Sequence, residues 1–219
     1  MRRNSSWFIV HGSWIKVVLF TTFYLLPAIL LTSCAKREIK NIDSKGKSIV
    51  CFGDSITFGY GVNPGEDYPS CLAKMLNMPV INAGLDADTS SGGLQRIDAE
   101  VLEKDPLLVI IEFGGNDFLK KIPLEKTVKN IETMIQKIQE KGAMVALVDV
   151  RMGFVMRDYG SQYKRLSRKY QTIFTEPALS GIITNPQLKS DFFHPNADGY
   201  KLIAQRIYRS IIPYLNQKK

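Results

Sequence analysis

Histidine, cysteine and tryptophan are scarce in this chain of 219 residues, which contains two His, three Cys and two Trp. Three cysteines are too few for a disulfide-dense scaffold or a four-cysteine zinc site, and two histidines leave little room for a histidine-rich metal centre. No tract rich in glycine, proline, serine or one sign of charge dominates, which excludes a disordered or collagen-like chain. The length therefore indicates one globular domain with at most a small appendage.

The first 33 residues differ in composition from the rest of the chain. They contain Arg2, Arg3 and Lys16 but no acidic residue, and an apolar run follows from Val17 to Leu31. This run is shorter than the roughly 20 residues that span a bilayer. A basic start, a short apolar stretch and small residues at its end are typical of a secretory signal. We therefore predict a signal peptide over residues 1–33, with an uncleaved N-terminal anchor helix as the alternative.

The end of this segment, Leu31-Thr32-Ser33-Cys34, resembles the lipobox of bacterial lipoproteins. In those proteins cleavage leaves the cysteine as an acylated first residue, so the resemblance implies a lipid anchor at Cys34. It also implies a membrane-tethered protein of the cell envelope, facing the periplasm or the exterior. Residues 34–47 are then predicted to be the acylated cysteine and a polar, solvated tether, and residues 48–219 the folded domain.

Removing the first 33 residues changes what the composition indicates. The three positive charges of this segment account for part of the formal net charge of +8, so +5 remains. A positive balance can indicate binding to nucleic acid. Here the remainder includes the basic tether, and no basic face with interspersed aromatic residues is evident, so we predict no nucleic-acid partner. One histidine, His194, remains.

From about residue 48 the chain alternates short apolar runs with amphipathic helical patterns. The predicted strands are 49–52, 80–81, 107–111, 144–150 and 172–174; the predicted helices are 68–76, 91–103, 126–141, 162–169 and a C-terminal helix with an apolar face over 202–215. Nearly continuous apolar strands are typical of a parallel sheet that is covered on both faces. We therefore predict an α/β three-layer sandwich with a flavodoxin-like, parallel five-stranded sheet in the order 2-1-3-4-5. Cys51 and Cys71 lie in apolar contexts that favour buried thiols over a disulfide.

Chemistry-bearing residues follow predicted strands 1 and 3, where such sheets bind ligands. Ser55 follows strand 1 and Asn116 follows strand 3, while Asp191 and His194 lie near the C-terminus. A serine hydroxyl becomes an effective nucleophile when a base takes its proton, and that base usually needs a carboxylate to orient it. Backbone N–H groups near the serine and the Asn116 amide suit the oxyanion that develops during attack on a carbonyl.

Four blocks of this sequence resemble the GDSL, or SGNH, hydrolase family, and most closely its bacterial arylesterase and thioesterase/lysophospholipase branch. The blocks are Phe52–Gly61, Val80–Gly84 with Asp88–Ser90, Gly114–Asp117 and Asp191–Asn196. The resemblance implies that Ser55, His194 and Asp191 hydrolyse an ester or thioester through an acyl-enzyme. It implies no metal or organic cofactor. The substrate stays open among an acyl ester, a lysophospholipid, an aryl ester and an acetylated glycan, and the oligomeric state is not indicated.

The second block departs from the family pattern at Ala87. This branch usually has glycine at that place, and its N–H joins the N–H of the serine and the asparagine amide in the oxyanion hole. Alanine keeps the N–H, but it resists positive φ and adds a methyl group near the acyl group. The resemblance thus implies an oxyanion hole of Ser55, Ala87 and Asn116, with Gly84 as the alternative donor to Ala87. The added methyl group predicts a narrower range of accepted acyl groups.

Two alternative functions deserve comparison with a serine esterase. A catalytically silent, flavodoxin-like module could bind a phosphate or glycan at loop 53–57, but such a module has no reason to keep the complete Ser, Asn, Asp and His set. An α/β-hydrolase is less suitable because its nucleophile elbow is Gly-x-Ser-x-Gly, and Thr57 stands here in place of the last glycine. We therefore predict a serine esterase.

Overall fold

Five strands form a parallel sheet in the order β2-β1-β3-β4-β5, which confirms the predicted fold. A computed structural model describes residues 38–152 and 155–218, which belong to one compact unit. The predicted signal peptide, Cys34 and the start of the predicted tether lie outside the described residues. The strands are β1 (Ser48–Gly53), β2 (Val80–Gly84), β3 (Pro106–Glu112), β4 (Met144–Asp149) and β5 (Ile173–Pro177).

Helices cover both faces of this sheet. They are α1 (Ser55–Phe58), α2 (Tyr68–Leu76), α3 (Ser90–Glu100), α4 (Gly115–Leu119), α5 (Leu124–Glu140), α6 (Arg157–Lys169) and α7 (Ala197–Leu215). Helices α2 and α7 pack against each other in one layer, and α3, α5 and α6 form the other. Within the described part of the chain, no helix combines the length and the apolar character needed to cross a bilayer.

The core lies along the central strands. Strands β3 and β4 are buried over their whole length, because helices cover both of their faces, whereas the edge strands β2 and β5 are buried in part. Both Cys51 and Cys71 are free, as predicted; the thiol of Cys51 is buried in this core, whereas that of Cys71 is half-buried rather than buried.

Helix α6 begins at Arg157, five residues before its predicted start. Gly160 lowers the helical propensity of this first part, so the local sequence resembles a loop. The side chains of Tyr159 and Tyr163 are nevertheless buried against the domain. Tertiary packing of these rings therefore extends the helix beyond what propensity alone predicts.

The described part of the predicted tether is not a free linker. Ile39 is 4% exposed and belongs to the core. The side-chain amide of Asn41 donates hydrogen bonds to the carbonyls of Gln139 and Ala143, at 2.9 and 3.0 Å. These contacts hold the segment against the edge of the sheet where the strands begin. Ile39 packs into the core there, and both N–H groups of the Asn41 amide are hydrogen-bonded.

The strand register brings three loops together at the opposite edge. Gly53, the last residue of β1, pairs with Gly84 at the end of β2 and with Glu112 at the end of β3. The three strands therefore end at the same level. The segments that follow them meet above the carboxyl edge, where the sequence predicts the chemistry.

Candidate active site

Ser55 is the first residue of the short helix α1, directly above the end of β1. The side chain of Asp54 caps this helix by accepting the Ile56 N–H at 3.0 Å. This cap forces a sharp turn between strand and helix, so Ser55 stands at the carboxyl edge of the sheet with 7% of its surface exposed. Gly84 packs tightly behind it: a Cβ there would lie 2.1 Å from the Phe58 nitrogen.

The loop before α7 brings His194 and Asp191 to this serine. The Nε2 atom of His194 lies 3.1 Å from Ser55 Oγ, and its Nδ1 atom lies 2.8 Å from Asp191 Oδ2. The other Asp191 oxygen accepts the backbone N–H groups of Phe193 and His194, at 2.7 and 2.8 Å. The carboxylate thus orders its own loop and the imidazole together.

The surroundings of Asp191 favour its charged form. Partial burial tends to raise the pKa of this carboxyl group, but hydrogen bonds from the His194 ring and from two backbone N–H groups outweigh it and lower the pKa. Tyr60 lies against the other side of the imidazole, with 4.4 Å between the ring centroids. The ring is therefore held so that Nε2 can accept a proton from Ser55.

Asn116 reaches the same cavity from the end of β3. Gly114 adopts φ +126°, a conformation that favours glycine, and turns the chain from the strand into α4. Asp117, which follows Asn116 in the chain, is fully buried and accepts hydrogen bonds from Ser90 and Thr127. These bonds join α4 to the starts of α3 and α5, so the backbone that carries Asn116 is held from two sides.

Ala87 adopts the left-handed conformation that the family glycine would favour, with φ +57°. This backbone costs an alanine roughly 1–2 kcal/mol. The carbonyl of Ala87 accepts a hydrogen bond from the Lys120 ammonium at 2.8 Å, and Ala87 borders the cavity. The N–H of Gly84, the alternative donor, is already bonded to Asn82 Oδ1 at 2.9 Å. The geometry therefore favours Ala87 over Gly84 as an oxyanion donor.

Arg96 on α3 was not identified from the sequence, although it joins two loops of the site. Its guanidinium donates to the carbonyls of Gly53 and Ala83, each at 2.9 Å, and to the Asp88 carboxylate at 2.8 Å. It also stacks on the Phe52 ring, 4.5 Å from its centroid. No local motif signals this role, because the partners lie up to 43 residues away in the chain.

A cavity of about 500 Å³ opens above these residues and includes Ser55, Ala87, Asn116 and His194 in its wall. Much of the remaining wall is apolar, with Ile56, Leu119, Met156, Leu179, Ile183 and Phe193 among its residues. Within residues 38–152 and 155–218, no cluster of three or more His, Cys, Asp or Glu side chains is arranged to hold a metal ion. The structure thus brings four of the five predicted site residues of the domain, Ser55, Ala87, Asn116 and His194, to one largely apolar cavity, and the fifth, Asp191, contacts His194 from outside its wall.

Comparisons with known proteins identify the family of this chain. The profile of the GDSL-like Lipase/Acylhydrolase family matches residues 51–202. The chain is 27% identical over 204 residues to the esterase TesA of Pseudomonas aeruginosa, covering 87% of this chain and all of that protein. It is 28% identical over 183 residues to an arylesterase of Vibrio mimicus, covering 77% of this chain and 90% of that protein.

A solved structure shows the same likeness in three dimensions. The psychrotrophic esterase EstA of Pseudoalteromonas sp. superposes with a TM-score of 0.69 at 27% identity, covering 78% of this chain and 99% of that one. The family match includes Ser55, Asn116, Asp191 and His194. The chain therefore belongs to the GDSL-like lipase/acylhydrolase family and is an ester hydrolase.

Proposed function

We propose that the protein hydrolyses esters or thioesters through an acyl-enzyme formed on Ser55. The observation that carries this proposal is the continuous series of contacts from Asp191 through His194 to Ser55 Oγ. Oγ attacks the acyl carbon while His194 Nε2 takes its proton, and the same proton then goes to the departing alkoxide or thiolate. Water, deprotonated by His194, attacks the acyl-enzyme and releases the acid and Ser55. Asp191 keeps the imidazole oriented and stabilises its positive charge.

Three donors would stabilise the oxyanion in this mechanism. They are the N–H groups of Ser55 and Ala87 and the side-chain amide of Asn116. In the part of the chain that the structure describes, no protein group accepts a hydrogen bond from any of these donors. Donors already in place but unoccupied strengthen their interactions when charge develops on the carbonyl oxygen.

The surroundings of the cavity support an apolar acyl or aryl group in the substrate. Among the described residues, the exposed large apolar side chains all lie in segments that follow the carboxyl ends of the strands: Phe58, Tyr60, Leu85, Phe118, Leu119, Val155, Phe192 and Phe193. Six of these eight border the cavity itself. Burying such surface favours binding by about 25 cal/mol per Å². We therefore favour acyl and aryl esters, including lysophospholipids, over acetylated glycans.

The lipobox-like stretch Leu31–Cys34 supports a lipid anchor at Cys34 and a location in the cell envelope. An anchored enzyme of this kind would meet ester substrates outside the cytoplasm. This proposal concerns where the enzyme acts and is independent of the mechanism at Ser55.

Hydrolysis of p-nitrophenyl esters of increasing acyl length by the full chain tests the mechanism. We expect Ser55→Ala and His194→Ala to lower kcat by about 10⁴-fold or more, because nucleophile and base act as a unit. Ser161→Ala, which changes an exposed serine on α6, is the matched control and should keep full activity. Hydrolysis that survives Ser55→Ala, or a wild type that hydrolyses no ester or thioester, would contradict the proposal and favour a binding-only module.

A further inference from the structure

Two buried carboxyl groups lie in contact beside the proposed nucleophile. Asp54, which precedes Ser55, is 2% exposed, and Glu112, at the end of β3, is 3% exposed. Their side chains are hydrogen-bonded to each other, and both border the cavity. A hydrogen bond between two carboxyl groups requires a proton on one of them. Since like charges in contact cannot both persist in a buried site, the pair shares one proton and one negative charge.

The hydrogen bonds around the pair determine which group carries the charge. Thr57 Oγ1 donates to Glu112 Oε2 at 2.9 Å. Because its single proton is used there, Thr57 accepts from the Tyr68 hydroxyl, 3.0 Å away. Glu112 thus receives two side-chain donors, from Thr57 and from Asp54. Asp54 accepts one backbone N–H, that of Ile56. Glu112 receives more hydrogen bonds than Asp54, so the negative charge is better stabilised on Glu112 and the proton is on Asp54.

The electrostatic surroundings agree with this assignment. Burial, and then the neighbouring Glu112 charge, raise the pKa of Asp54 well above its ordinary value. Burial also raises the pKa of Glu112, but hydrogen bonds from Thr57 and Asp54 oppose that rise. The other titratable groups near the pair are Asp117 on α4, Tyr68 on α2, Tyr163 on α6 and Tyr200 on α7. Among the described residues, no ion pair neutralises either carboxyl group.

The position of Asp54 makes its protonation state important for the reaction. It adjoins Ser55 in the chain, and its Oδ2 atom lies 3.5 Å from where a Cβ on Gly115 would stand, next to Asn116. Its carboxyl group thus lies close to the backbone that precedes Asn116, and it borders the same cavity as Ser55 and Asn116. Glu112 Oε2 lies instead beneath Gly53, 2.8 Å from where a Cβ on that residue would stand. A negative charge on Asp54 would oppose the charge that develops on the substrate oxygen.

We propose that Asp54 is a positioning residue that acts as a neutral carboxylic acid, donating a hydrogen bond to Glu112 so that the charge of the pair stays away from the oxyanion. The hydroxyls of Thr57 and Tyr68 hold Glu112 as the charged member. This inference rests on the proposed role of Ser55. In this proposal Asp54 keeps its proton throughout the reaction, and the negative charge on Glu112 sets the electrostatic field at the site.

Two isosteric variants separate this role from a structural one. In Asp54→Asn, the amide donates to Glu112 and accepts from the Ile56 N–H, as a protonated aspartate does. In Glu112→Gln, the amide donates to Asp54 and accepts from Thr57, so both side-chain hydrogen bonds are again preserved. Both variants keep one negative charge on the pair. They differ in its location, which is Glu112 in the first variant and Asp54 in the second.

The two variants should therefore differ in kcat/KM for a p-nitrophenyl ester. We expect Asp54→Asn to stay within about threefold of the wild type and Glu112→Gln to lose about a hundredfold at neutral pH. Across the pH range in which the wild type is active, the deficit of Glu112→Gln relative to the wild type should shrink as pH falls, because protonation of Asp54, whose pKa is raised by burial, removes the misplaced charge. Thermal unfolding midpoints of both variants serve as the folding control.

Three results would overturn the inference. One is an equal loss in both variants, which shows that the pair matters for structure alone. Another is loss in Asp54→Asn with activity retained in Glu112→Gln, which places the required charge on Asp54. The third is a deficit of Glu112→Gln that does not change with pH. The proposed function fails separately, when the wild type hydrolyses no ester or Ser55→Ala stays active, so the two failures are distinguishable.

Discussion

At the scale of single residues, the methyl group of Ala87 and the side-chain amide of Asn116 lie where the oxyanion hole is proposed. The methyl group of Ala87 borders the cavity while its backbone keeps the left-handed φ of +57°. Asn116 presents the side-chain amide from the facing loop. An alanine at such a backbone position is strained, and the hydrogen bond from Lys120 to its carbonyl helps to hold it.

Replacing the amide tests its contribution to catalysis. We expect Asn116→Ala to lower kcat by about 10²–10³, the usual effect of losing one oxyanion donor, with little change in KM. Asn63→Ala, which removes an exposed amide outside the cavity, is the matched control and should leave both constants unchanged. A loss confined to KM, or a matching loss in the control, would contradict the assignment of Asn116 to the oxyanion hole.

At the scale of elements, the site depends on how rigidly three strand ends and their loops are joined. Arg96 on α3 bonds the last carbonyl of β1, the Ala83 carbonyl in β2 and the carboxylate of Asp88. Asp88 directly follows Ala87, so the guanidinium positions the segment that carries the proposed donor. A planar group with several fixed donors suits this task better than an ammonium, which is a point charge.

Substitution of this arginine should therefore affect catalysis and stability together. We expect Arg96→Ala to cost about 1–3 kcal/mol of unfolding free energy, because part-buried carbonyls lose their donor. Arg96→Lys should lose roughly tenfold in kcat while folding more stably than the alanine variant. Denaturant unfolding and ester kinetics measure the two effects, with the exposed Arg165→Lys on α6 as control. Unchanged kcat in both Arg96 variants would rule out a positioning role.

At the scale of the whole molecule, the two edges of the sheet carry different features. The carboxyl edge holds the cavity and the exposed apolar side chains, and the amino edge holds the packed segment around Ile39 and Asn41. The chain thus enters the folded domain on the side away from the site.

Metabolic labelling with palmitate tests the proposed attachment. In a bacterial host that processes lipoproteins, we expect the full chain to incorporate label and Cys34→Ser to incorporate none, because Cys34 is the proposed site of acylation. Cys71→Ser, which removes a half-buried thiol within the domain, is the matched control and should label like the wild type. Equal labelling of Cys34→Ser, or an unlabelled wild type, would refute the lipid anchor.

Local patterns in the sequence were enough to predict the strands, the principal helices and the sheet order. Apolar runs and helical periodicity depend on neighbouring residues, and parallel α/β topology leaves few arrangements of such elements. The start of α6 was predicted too late, because burial of Tyr159 and Tyr163 overrides the weak propensity around Gly160. The segment at Ile39 was predicted to be solvated, since a single apolar residue in a polar stretch gives no periodic signal.

The sequence by itself determined the α/β architecture and the set of Ser55, Asn116, Asp191 and His194, because apolar patterns and short motifs are local properties of the chain. The tertiary structure alone decided that Ala87 rather than Gly84 borders the cavity, how Arg96 joins two loops and that Asp54 meets Glu112. Those features depend on a backbone dihedral, on burial and on contacts between residues far apart in the chain. No residue type or spacing encodes them, since each arises only when separate strand ends come to the same level.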